Sequence, residues 1–135
     1  KYRKDNATKL AELRKMYYEA NRDSLAVTMR AYKQANPEKC ATNYRNRRAR
    51  KRNADGSHTA VDVKAIFDSQ RGLCANCQIK LAKTGRQKFH VDHIQPLSKD
   101  GSNDRLNLQC LCPACNLSKS AKDPIKWANE NGKLL

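Results

Sequence analysis

The chain has 135 residues, 39% hydrophobic and 6% aromatic, which suits one small domain with an extension and leaves a core thin enough to need a metal or disulfide staple. Its formal net charge of +15 is uneven: residues 1–53 hold 16 Lys/Arg against 5 Asp/Glu, and residues 54–135 hold 12 against 8. That asymmetry favours nucleic acid over an anionic membrane surface as partner; no apolar run approaches transmembrane length and no secretory leader is legible, so a cytoplasmic setting is expected.

In chain order, the first element is a repeat. Frames of 15 residues align Tyr2, Tyr17 and Tyr32, then Asn6, Asn21 and Asn36, then Leu10, Leu25 and Cys40. Asn is a strong N-cap, and Pro37 after Asn36 suits the first helical position. The pattern predicts short helices, or one long helix broken near Asn21 and Asn36. Packing between neighbouring helices is the expected use of Tyr17, Tyr32 and Tyr44, with base stacking the competing one. The third frame runs into "RNRRARKR", where Arg45, Arg47, Arg48, Arg50, Lys51 and Arg52 follow one another almost without interruption. These six are the expected phosphate contacts. A boundary is placed after residue 53, giving a basic helical arm (1–53) and a second domain (54–135). On that division the arm lies apart from any catalytic residue, so deleting it should weaken binding and spare turnover.

"TAVD" at Thr59–Asp62 has the capping-box pattern, and the helix it opens should run to about Gln70 and bury Val63, Ile66 and Phe67. Gly72 ends that helix and leads to Cys74. A strand-and-turn region around Thr84 and Gly85 follows, then "FHVDHIQPL", whose alternation predicts a strand ended by Pro96. A loop, a short helix or extended turn, and two short helices with a break before Pro124 complete the chain, with Trp127 in the core. His58 is expected to be loop only.

Cys74, Cys77, Cys112 and Cys115 form two CxxC turns, while Cys40 and Cys110 stand outside the pattern, Cys110 as a buried thiol. Each turn offers two sulfurs to one face of a tetrahedral ion, so the spacing predicts a structural Zn²⁺ site. Disulfides or a redox pair are the competing reading. His93 near its unperturbed pKa of about 6.5 can take a proton from water at neutral pH. An oxygen-ligated divalent ion can neutralise a scissile phosphate and a leaving alkoxide, and Asp92 is the neighbour of His93 on the strand. On an ideal strand the two would face opposite ways, so the strand should end or bend here.

Asp92-His93-Ile94, Pro96-Leu97-Ser98, Asn107-Leu108-Gln109, Leu111-Cys112 and Cys115-Asn116 with Lys119 resemble the HNH nuclease family, in its His-Asn-Asn variant, over about residues 59–127. The resemblance implies an α+β fold, a small zinc-stapled ββα-metal module behind the basic arm. It also implies His93 as general base, Asp92 and Asn116 as ligands of a catalytic Mg²⁺ or Mn²⁺, and Asn107 as the residue that fixes the loop carrying His93. Lys119 is expected to reach phosphate, and His90 is a candidate phosphate contact against a structural or surface role. The implied activity is a DNA endonuclease, nicking and leaving 5′-phosphate and 3′-hydroxyl ends. Size and repeat resemble small stand-alone phage or mobile-element members in a bacterial host, with a dimer or a packaging partner left open. The alternative is a non-catalytic zinc-stabilised nucleic-acid-binding module.

Overall fold

The structure, a computed structural model, describes residues 6–85 and 88–132; Tyr2 of the repeat and residues 86 and 87 of the expected strand-and-turn region lie outside them. The chain divides into two compact units, Lys1–Cys40 and Ala41–Leu135. The division falls inside the basic helix, so the arginine-rich stretch belongs to the second unit although charge alone groups it with the arm.

In the first unit, α1 (Ala7–Ala35) runs unbroken through Asn21, whose Nδ2 donates to the Tyr17 carbonyl at 2.8 Å instead of capping a new helix. Asn36 makes the same bond to Tyr32, at 3.0 Å, yet the helix ends there. The difference is Pro37, which cannot donate to the helix ladder, disfavours helical backbone at the residue before it, and opens α2 (Pro37–Arg50). No residue of α1 is buried. Tyr17, Tyr32 and Tyr44 are all exposed, Tyr44 at 69%, so the helix–helix packing expected of them is not seen among the described residues.

The second unit is mixed helix and sheet. Its α3 (Ala60–Ser69) starts at a complete capping box, with Thr59 accepting from the Asp62 backbone and Asp62 accepting from the Thr59 backbone. It buries Val63, Ile66 and Phe67, each stabilising the fold by roughly 1.5–3 kcal/mol. Two left-handed residues, Arg71 and Gly72, turn the chain out of the helix. A Cβ on Gly72 would press on the Phe67 ring at 3.2 Å.

The sheet has two antiparallel strands, β1 (His90–His93) and β2 (Leu108–Leu111), paired His90 to Leu111, Val91 to Cys110, Asp92 to Gln109 and His93 to Leu108. Gln70 extends it with a side chain: its amide oxygen accepts from Cys110 N and its nitrogen donates to Cys110 O. The loop between the strands folds back tightly at Gly101, where a Cβ would meet the Gln95 carbonyl at 2.0 Å. After β2, α4 (Pro113–Lys119) packs on both strands and turns Cys115 and Lys119 inward, four residues apart on one face. Finally, α5 (Pro124–Glu130), capped by Asp123, buries Trp127, whose ring N–H reaches Ser118 Oγ at 3.2 Å.

Candidate active site and cysteine cluster

The four cysteines of the two CxxC turns converge, with their sulfurs all within 4.8 Å of one another. Cys77 and Cys112 Sγ are 3.8 Å apart, close to the ~3.8 Å edge of a tetrahedron with ~2.3 Å zinc–sulfur bonds. Backbone N–H groups of Cys112 and Cys115 and the Asn76 amide point at sulfurs, at 3.3 to 3.4 Å. Burial works to raise the Cys74 thiol, but N–H groups of Cys112, Cys77 and Asn76 outweigh it and bring the pKa down to about 7. Burial raises Cys112 and pushes Cys115 up to about 12, and a bound cation would favour their thiolate forms by displacing the protons. The donor set fits Zn²⁺. Cys110 lies outside the cluster as a buried thiol that burial pushes up to about 11.

A separate cleft of about 450 Å³ is lined by Asp92, His93 and Asn116 together with Arg45, Arg48 and Arg52. Strand β1 ends at His93, and both residues of the Asp-His pair line this one cleft. The three arginines stand at i, i+3 and i+7 along α2 and the turn after it, which is one helical face. Tyr44, Arg47 and Lys51 form a neighbouring face, and Arg50 is exposed without lining either hollow.

Asp92 is held from behind: its Oδ2 accepts from Gln109 Nε2 at 3.1 Å, its partner across the sheet, and from Lys119 Nζ at 2.9 Å. Oδ1 has no protein partner among the described residues. Asn116, on α4, sets its Nδ2 against His90 Nδ1 at 2.9 Å, and its Oδ1 has no protein partner among the described residues. Two hard oxygens beside open space suit a Mg²⁺-type ion that keeps waters or phosphate oxygens as its other ligands. Among the described residues the Asn107 side chain bonds only backbone: its Oδ1 accepts from Gln95 N, and its Nδ2 donates to the Gln95 and Ser102 carbonyls at 2.9 and 2.7 Å. Both ends of the loop after His93 are thereby tied to one side chain.

Lys119 corrects an expectation. It is 1% exposed and cannot reach phosphate in this arrangement; its ammonium donates to the His93 carbonyl at 2.7 Å as well as to Asp92. Helix geometry explains this, because Lys119 shares the inward face with Cys115 and a buried ammonium must find acceptors. His90 is exposed at the start of β1.

Three residues escape sequence reasoning. His58 is 3% exposed and Asn103 is fully buried; together with Asn46 of α2 they form a polar network behind His93. His93 Nε2 lies 3.0 Å from Asn103 Oδ1, and Asn103 Nδ2 donates to Asn46 Oδ1 at 2.7 Å. Asn46 Nδ2 donates to the His58 carbonyl at 2.8 Å, and Arg45 Nε to His58 Nε2 at 3.2 Å. Burial lowers the His93 pKa below its ordinary value, helped by the Lys119 and Arg48 charges and opposed by the Asn103 bond and Asp92. Burial lowers His58 as well. Nothing in the local pattern around Asn46, His58 or Asn103 announces these bonds, since each partner lies in a different segment.

Residues 74–122, which hold both CxxC turns, the two strands and α4, match the HNH endonuclease family model. Comparison with curated proteins and with solved structures gave no match. No helix among the described residues is long and apolar enough to cross a membrane.

Proposed function

We propose, from the HNH match over residues 74–122, that the chain is a metal-dependent DNA endonuclease that cuts in the cleft between β1, α4 and the arginine face of α2. One observation carries the reading: Asp92, His93 and Asn116 share a single cleft with Arg45, Arg48 and Arg52. The first three have the chemistry to hydrolyse a phosphodiester, and the arginines have the chemistry to hold one.

His93, whose pKa burial lowers, takes the proton of the attacking water. Bound at the open oxygens of Asp92 and Asn116, Mg²⁺ or Mn²⁺ would supply charge neutralisation at the scissile phosphate and the departing oxygen. Lys119 and Gln109 hold Asp92 in place, and Asn107 holds the loop behind His93. Arg48 and Arg52, exposed at the rim, neutralise flanking phosphates without reading bases, while Arg45 is partly committed to Thr42 and His58. His90 stands beside Asn116, where it meets the same phosphate. Water attack with departure of the 3′ oxygen leaves 5′-phosphate and 3′-hydroxyl ends. One such centre cuts one strand per encounter, so nicking is the expected product.

Zinc-loaded protein incubated with supercoiled plasmid should yield nicked circles with Mg²⁺ or Mn²⁺ and none with a chelator selective for those ions. Protein that binds the plasmid yet leaves it supercoiled in both metals would replace this reading with a non-catalytic zinc-stabilised nucleic-acid-binding module.

A further inference from the structure

We infer that Asn103 is a positioning residue for His93 and that it takes its own orientation from Asn46, which makes the arginine helix α2 a structural part of the catalytic centre. The inference rests on the reading of His93 as the general base. It starts from a group whose role is fixed. The His58 main-chain carbonyl can only accept, so the Asn46 side-chain atom 2.8 Å from it is the NH₂. The other end of Asn46 is therefore its oxygen, and the His58 backbone N–H, 3.4 Å away, agrees.

That oxygen faces Asn103 at 2.7 Å, so Asn103 presents its NH₂ to Asn46 and its carbonyl oxygen to His93 Nε2, 3.0 Å away. An acceptor at Nε2 requires the hydrogen of neutral His93 to sit there. Nδ1 is left with the lone pair, and it has no protein partner among the described residues. One main-chain carbonyl thus sets, through two amides, which nitrogen of His93 can act as base.

The same logic gives His58 the opposite tautomer. Its Nδ1 faces the Asn103 main-chain carbonyl at 3.2 Å and its Nε2 accepts from Arg45 Nε, so its hydrogen is on Nδ1. Asn103 and His58 are buried and Arg45, Asn46 and His93 half-buried, and no buried side-chain nitrogen or oxygen among the described residues lacks a partner. These bonds admit one arrangement of the two amides: turning Asn46 over would set its oxygen against the His58 carbonyl and its NH₂ against that of Asn103, and turning Asn103 over would set its oxygen against that of Asn46.

The test uses the full zinc-loaded chain, which has only three histidines. Nitrogen-15 imidazole spectra at mildly alkaline pH, with His93→Ala to identify the His93 signals, read each tautomer directly. Wild type should show His93 protonated at Nε2 and His58 at Nδ1. Asn46→Ala should lose the single-tautomer pattern of His93 and slow single-turnover nicking on the order of 10- to 100-fold, by analogy with removal of the groups that orient metal-bound imidazoles, with DNA affinity unchanged.

Wild-type His93 protonated at Nδ1, or Asn46→Ala with wild-type spectra and wild-type nicking, would overturn the inference. Thermal melts identify a variant that has not folded; the wild-type spectrum then decides, because the network demands opposite tautomers at His58 and His93. Wild type that fails to nick defeats the nuclease reading alone, since the tautomers are read without cleavage.

Discussion

The two centres of the 41–135 unit are assembled by opposite means. The cysteine cluster draws on two short turns, each delivering two sulfurs over four residues, and a single ion can satisfy the set. The cleft draws on α2, the stretch before α3, β1, the loop between the strands, and α4, joined by amide, imidazole and ammonium hydrogen bonds. A thiolate–metal site concentrates its energy in one place. A polar network spreads it, so every member matters to geometry and few matter to the existence of the fold. Damage to the first centre should unfold the protein, and damage to the second should leave a folded protein that works badly.

The largest effect is expected at the cysteines. Structural zinc contributes on the order of 10–16 kcal/mol in small zinc domains, so a strong zinc chelator, or Cys77→Ser, should abolish cooperative melting of the second unit by circular dichroism. Metal analysis should return one zinc per chain. A Cys77→Ser protein that melts like wild type would remove the contrast between the two centres.

His93→Ala should slow single-turnover nicking by ~10²–10⁴-fold, the usual contribution of a general base, with the melting curve and DNA affinity close to wild type. Lys119 tests the border between the centres. Removing one partner of a buried ion pair costs about 3–5 kcal/mol because the other charge is left unpaired, so Lys119→Met should lower urea stability by about that much. Were Lys119 a phosphate contact, the loss would show in the salt dependence of DNA binding and not in stability.

A smaller effect follows from His58. Its folded pKa is depressed by burial, so it contributes stability that is present above its unfolded pKa of ~6.5 and is lost as pH falls through the folded value. Wild type should therefore lose stability between neutral and mildly acidic pH more steeply than His58→Gln, measured as urea midpoints across that range. The smallest effect is expected at the cleft rim. Each phosphate contact adds about 0.9 to the slope of log affinity against log salt, so Arg48→Gln with Arg52→Gln should flatten the slope by up to about 1.8 with stability unchanged.

Removal of the basic arm separates two ideas that charge alone had merged. Deleting residues 1–53, expected from the sequence to spare turnover, takes away Asn46 with the arginines, so it should now damage cutting as well as binding.

Much of the 54–135 region was legible because its signals are local. The Thr59–Asp62 box, the inward face of Val63, Ile66 and Phe67, the exit at Gly72, the break before Pro124 and the two CxxC turns each depend on residues a few positions apart. Their physics is that of one helical turn or one metal-binding loop, and sequence spacing reports it directly. Pro37 likewise marked the end of α1, whereas Asn21, with no proline after it, stayed inside the helix. The inward turn of Lys119, the burial of His58 and Asn103, and the allegiance of residues 41–53 to the second unit were settled in three dimensions. Asn46 and Asn103 are separated by 57 positions, and an amide hydrogen bond imposes no periodicity on the chain that carries it. Which polar side chains become buried partners is decided only when the elements pack and each donor excluded from water must take the acceptor that packing has brought within reach.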